Sequence, residues 1–140
     1  MNNPIQLACI IDDDDFYISL VSKIIKLKGL AKKLKVFRNG KEALDFFQPA
    51  MRAPGSVVMP RIVLLDLNMP VMDGWQFLSQ LEKEDPTALK DTIIYIVSSS
   101  IDPKDKARAA QISLVADYIV KPMTIEEVEN IFDLNQADSA

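Results

Sequence analysis

At 140 residues, 49% of them apolar and 26% charged, the chain has the length and composition of one globular domain with its own core. A formal net charge of −4 argues against a nucleic-acid surface, and no apolar stretch approaches the ~20 residues of a membrane span. The absence of histidine excludes Ser-His-Asp and Cys-His catalysis and imidazole metal ligation within this chain, while a lone Cys9 in an apolar run reads as a buried, unpaired thiol. That thiol suits a reducing compartment, and no signal peptide opens the chain, so the expected location is the cytoplasm.

In chain order, strands and helices alternate. Residues 7–11 form a first apolar strand, followed by the acids at 12–15. A helix over about 15–28 carries Leu20, Val21, Ile24, Ile25 and Leu27 as its apolar stripe, with Gly29 at its C-terminal end. Residues 33–37 alternate Leu34 and Val36 with lysines, as an edge strand does to discourage further pairing. The lysines at 23, 26, 28, 32, 33 and 35 read as a solvated helix face and strand edge. Asn39 and Glu42 supply a cap and a first-turn acid for a second helix through Ala43, Leu44, Phe46 and Phe47. With three prolines and a glycine, 48–60 reads as a long loop.

The apolar run 62–65 ends abruptly in Asp66. A turn holding Asn68, Pro70 and Asp73-Gly74 follows, then a helix from Trp75 that stops before Asp85-Pro86. Trp75, Phe77 and Leu78 are expected to pack, and Met59, Met69 and Met72 to fill gaps. A fourth strand over 92–97 leads into Ser98-Ser99-Ser100. Asp102-Pro103 opens a helix to about 112. Residues 116–120 form strand five, and Thr124 with Glu127 makes a capping box for a short last helix after Lys121-Pro122. The tail from about 135 is polar and expected to fray.

Five strands alternating with five helices predict an α/β fold: a parallel sheet covered on both faces, doubly wound, in the order 2-1-3-4-5. Strands one and three are then neighbours at the switch point, so Asp12, Asp13 and Asp66 converge at their carboxyl ends. Three carboxylates brought together repel, and a hard divalent cation such as Mg²⁺ resolves the repulsion through oxygen ligands. Such a site serves phosphoryl transfer, with Asp66 as nucleophile and with Lys121 and Ser98 holding phosphoryl oxygens. A lone strand-end acid is ordinarily a cap. Here acids, acid, serine and lysine stand at four strand ends together.

These residues carry a resemblance. Ile-Ile-Asp-Asp-Asp at 10–14, Leu-Leu-Asp-Leu-Asn-Met-Pro-Val-Met-Asp-Gly at 64–74, Ile-Val-Ser-Ser at 96–99 and Asp-Tyr-Ile-Val-Lys-Pro at 117–122 resemble the receiver domain of response regulators, of the single-domain, CheY-like type. The resemblance spans about 5–133 and implies a flavodoxin-like three-layer sandwich over one domain, 1–140. It implies that Asp66 accepts phosphate from a phosphohistidine on a histidine kinase or phosphotransfer protein. It further implies that Asp12, Asp13, Asp66 and the backbone carbonyl of Asn68 hold Mg²⁺. Ser98 matches the switch hydroxyl, Lys121 the phosphate-pairing lysine on a cis Lys121-Pro122 bond, and Tyr118 the aromatic that follows the switch. The expected downstream partner is a protein, and neither nucleic acid nor membrane is expected as a partner.

Two other classes share part of this pattern. A haloacid-dehalogenase-type phosphatase also uses a strand-end aspartate and Mg²⁺, but it wants a second acid two residues on, where this chain has Asn68. A flavodoxin-like cofactor binder wants a glycine-rich phosphate loop after strand one, which is absent. The chain departs from the receiver pattern in having serine rather than the commoner threonine at 98, an extended 48–60 loop and a short final helix.

Overall fold

The first strand, β1 (Ile5–Ile11), is buried over almost its whole length, because it is an interior strand of a sheet covered on both sides. It is followed in chain order by α1 (Asp15–Leu27), β2 (Ala31–Phe37), α2 (Gly40–Arg52), β3 (Ile62–Leu65), α3 (Gly74–Leu81), β4 (Ile93–Ser98), α4 (Pro103–Ala110), β5 (Val115–Val120) and α5 (Ile125–Leu134). A short 3₁₀ turn, Pro86–Leu89, precedes β4. These elements come from a computed structural model that describes residues 4–136. All strands are parallel, in the order β2-β1-β3-β4-β5. The doubly wound, flavodoxin-like architecture read from the sequence is the one observed.

Side-chain alternation along the strands divides the core in two. Cys9, Ile11, Val63, Leu65, Ile94 and Ile96 point to the face covered by α2, α3 and α4. Ala8, Ile10, Ile62, Leu64, Tyr95 and Val97 point to the face covered by α1 and α5. Phe47 of α2 meets Phe77 of α3 edge-on, with ring centroids 5.5 Å apart, and both rings are fully buried. Burying each such ring is worth about 1.5–3 kcal/mol. Register then sets the site. Ile11 pairs with Leu65, so Asp12 and Asp66 leave the sheet side by side. Ser98 pairs with Val120, which puts Lys121 just beyond the same edge.

Beyond shifts of one or two residues at the strand ends, the elements differ from the sequence reading in four places. The buried stripe of α1 is Tyr17, Ile18, Val21, Ile24 and Ile25, whereas Leu20 and Leu27 are exposed. Those two leucines lie off the arc that faces the sheet. The second difference is that 48–52 is not loop, because α2 continues through Pro49 to Arg52. Ala50 and Met51 are buried beyond the proline, and their burial offsets the backbone hydrogen bond it removes. Third, α4 ends at Ala110 rather than near 112. Fourth, Asn135 is not frayed. Its amide donates to the Tyr95 hydroxyl at 2.6 Å and to the Ile131 carbonyl at 2.8 Å, and Arg61 Nε donates to the Asn135 carbonyl at 3.2 Å. The rest of the expected polar tail, 137–140, lies outside the described residues.

Other expectations match. Gly29 follows α1 with φ 61°, a left-handed conformation that ends a helix at little cost to glycine. Asn39 caps α2, and Thr124 with Glu127 closes a capping box on α5. The six lysines from 23 to 35 are exposed, and Cys9 is free and buried. Met69 is buried in the core, with Met59 and Met72 packed against it.

Candidate functional site

The four acids after β1 separate into two roles. Asp14 is the N-cap of α1 and accepts from the backbone N–H groups of Phe16 and Tyr17. Asp15 pairs with Arg38 in the open. That leaves Asp12, fully buried, and Asp13, exposed, at the mouth of the site. The Asp14 amide donates to Asp12 Oδ1 at 2.9 Å and so fixes one carboxylate oxygen. Asp66 follows β3, its own amide bonded to the Ile11 carbonyl at 2.9 Å, and its side chain is buried with little solvent access.

The turn after Asp66 is clamped against it. The Gly74 amide donates to the Leu67 carbonyl at 3.0 Å, and a Cβ at Gly74 would sit 2.3 Å from the Asp66 carbonyl oxygen. Only glycine fits there, which explains the Asp73-Gly74 pair: Asp73 caps α3 in a reciprocal box with Gln76 while Gly74 allows the backbones to meet. Between Asp66 and Gly74, Val71 takes φ 74°, and the Met72 amide reaches the Pro70 carbonyl at 3.0 Å. This is a γ-turn of the strained hand, on an exposed β-branched residue.

Oxygen atoms of Asp12, Asp13 and Asp66 all lie within 4.8 Å of one another. Lys121 Nζ stands 2.8 Å from Asp12 Oδ2 and 4.0 Å from Asp66 Oδ2. Burial, then the neighbouring Asp12 charge, pushes the Asp66 carboxyl up to about 6, against the pull of Lys121 and of the Asn68 and Leu67 amides. Asp12 is raised as well, by burial first, with Lys121 and the Asp14 amide opposing. One lysine therefore does not neutralise the cluster. An all-oxygen, hard, anionic donor set left under-compensated is what a hard divalent cation takes, and the cluster fits a metal site.

The remaining sequence candidates lie at the ends of β4 and β5 and in the turn after β3. Ser98 is buried at the end of β4, and its Oγ accepts from the Ser100 amide at 3.1 Å. The Lys121 amide donates to the Ser98 carbonyl at 2.8 Å and ties the two strand ends together, and Lys121-Pro122 is cis as expected. Tyr118 is half-buried, and its hydroxyl donates to the Ser100 carbonyl at 2.9 Å, so it is anchored to the turn that Ser98 begins. Asn68 lies in the turn next to Asp66 with its side chain exposed, and its backbone N–H is the group that acts on the Asp66 carboxylate. Sequence reasoning missed Tyr17, whose ring lies under Lys121 with Nζ 4.4 Å from the centroid. Nothing in the sequence marks an aromatic on the inner face of α1 as different from core.

A sheet of this order, with carboxylates and a lysine at its switch point, defines a class of acidic phosphoryl- or metal-handling sites. The family model of the response regulator receiver domain matches residues 8–133, and the chain belongs to that family. The probable methanogenesis regulatory protein FilR2 of Methanothrix harundinacea is 28% identical over 123 residues, covering 88% of this chain and 76% of that protein. The response regulator Rcp1 of Synechocystis is 25% identical over 127 residues, covering 91% of this chain and 84% of its own. A two-component response regulator from Cytophaga hutchinsonii superposes with a TM-score of 0.82 at 26% identity, covering 95% and 98% of the two chains. The chain is thus a receiver of two-component signalling, and membership of that family sets the phosphatase reading aside. Among the described residues no helix is long and apolar enough to cross a membrane.

Proposed function

We propose that Asp66 is the phosphoacceptor, taking its phosphoryl group from a phosphohistidine on a histidine kinase or phosphotransfer protein in the cytoplasm. The observation that carries this is the convergence of Asp12, Asp13 and Asp66 within 4.8 Å, with Lys121 Nζ 4.0 Å from Asp66 Oδ2. An Asp66 carboxylate oxygen attacks phosphorus. The P–N bond of the donor breaks, its electron pair returns to the imidazole, and an acyl phosphate forms on Asp66. Asp12, Asp13, Asp66 and the Asn68 carbonyl would hold Mg²⁺, which when bound neutralises charge on the transferring oxygens.

Lys121 is the point charge for one phosphoryl oxygen, and the Ser98 hydroxyl, released from the Ser100 amide, donates to another. That release loosens the turn to which the Tyr118 hydroxyl is bonded, so Tyr118 and α4 re-pack and present a changed face to a downstream protein. The domain, with its core over about 5–133, acts by this binding and not by nucleic-acid or membrane contact.

Intact-mass spectrometry tests the assignment. With phosphoramidate and Mg²⁺ the native chain gains one phosphoryl group, labile to hydroxylamine, and Asp66→Asn gains none. A phosphoryl group retained in Asp66→Asn, or mapped to Ser98, Ser99 or Ser100, overturns it.

A further inference from the structure

Tyr17 is 5% exposed, and among the described residues its hydroxyl has no hydrogen-bond partner. An unpaired buried hydroxyl costs stability, and phenylalanine would pack at this position without that cost. What the residue contributes at the site is its ring face, over which Lys121 Nζ sits 4.4 Å from the centroid while the same nitrogen touches Asp12 Oδ2 at 2.8 Å. The Lys121 side chain is 13% exposed, so this contact is largely out of water.

We infer that Tyr17 is a positioning residue for phosphoryl acceptance: its ring is the platform along which the Lys121 ammonium passes from Asp12 to the phosphoryl group on Asp66. The inference rests on the phosphoacceptor reading. In the resting geometry the ammonium is nearer Asp12 than Asp66, 2.8 against 4.0 Å, so it must shift towards Asp66 when charge arrives there. A hydrogen-bonding residue under the ammonium would have to be broken to let it go. An aromatic face attracts a cation without a fixed direction, over separations of up to about 6 Å, and keeps the ammonium in the site throughout the move.

The test compares native protein, Tyr17→Leu and Tyr17→Phe, each also in a Lys121→Met background, with phosphoramidate and saturating Mg²⁺. Tyr17→Leu is expected to slow Asp66 phosphorylation about fivefold (~1 kcal/mol at 1.36 kcal/mol per decade). Tyr17→Phe, which restores the ring, recovers the native rate. In the Lys121→Met background Tyr17→Leu adds nothing, a result that a purely structural role for Tyr17 would not give. With Nζ 4.4 Å from the ring centroid, the Lys121 ε-methylene protons of the native protein are expected to be shifted upfield, and to remain so in Tyr17→Phe. Native rates in Tyr17→Leu, an undiminished effect without Lys121, or unshifted ε-protons in the native protein each overturn the inference. Should Tyr17→Leu fail to fold, the proton shift of the native chain still decides. If the native chain takes no phosphate at all, the phosphoacceptor reading fails, and the proton shift judges the stacking separately.

Discussion

The carboxyl of Asp66 carries a stability signature of its own. Raised from 3.8 to about 6, it keeps a proton in the folded state that the unfolded chain has already released between those pH values. Folding therefore loses stability as pH rises through that window, the opposite of Glu84 and Asp85, whose partners lower them. Asp66→Asn cannot ionise and lacks this slope. Without metal, urea unfolding should show the variant gaining stability over the native protein as pH rises from 3.8 towards about 6. A difference that stays flat over that range would mean that Asp66 is not held in the buried, acid-crowded setting described. The same crowding makes Asp66 a carboxylate whose reactive form depends on its neighbours, which links its stability to its chemistry.

At the scale of the element, α2 shows how far a sequence pattern reaches. Its start was legible, because Asn39 and Glu42 announce a cap by local chemistry. Its end was not, because Pro49 reads as a breaker while the burial of Ala50 and Met51 depends on where α3 lies. Pro49 is exposed, so Pro49→Ala restores the missing backbone bond without disturbing the core. It should stabilise the domain by about 1–3 kcal/mol, read from the urea midpoint at unchanged slope. An unchanged midpoint would mean that the helix has already adapted to the ring. The strand ends tell the same story. Asp12, Asp66, Ser98 and Lys121 could be placed because a parallel sheet brings carboxyl ends to one edge. The 3.6-residue period does not fix to within one residue which arc of α1 faces the sheet, so the pattern points Leu20 and Leu27 inward and does not single out Tyr17. Asn135 was illegible for a related reason, since its partners Tyr95 and Arg61 are distant in sequence.

For the whole molecule, a net charge of −4 with its densest acids gathered at one edge makes fold and cation interdependent. Mg²⁺ at a hundredfold excess over Kd should add about 2.7 kcal/mol to unfolding stability by mass action. A melting temperature indifferent to millimolar Mg²⁺ would speak against the cluster as a metal site. On the face of the sheet opposite α1, Arg108 of α4 stacks on Trp75 of α3, its guanidinium carbon 4.2 Å from the ring centroid. Trp75 is the only tryptophan in the chain, so all indole emission comes from the seam between α3 and α4. A cation resting on the indole tunes its excited state, and emission then reads the seam as an optical gauge. Phosphorylation that re-packs α4 should change the emission intensity in step with the mass shift, and Arg108→Ala should give the signal of an open seam. Emission that stays constant while the phosphate is added would mean that α4 holds still. The chain thus carries its own label at the joint where a signal would have to leave the sheet.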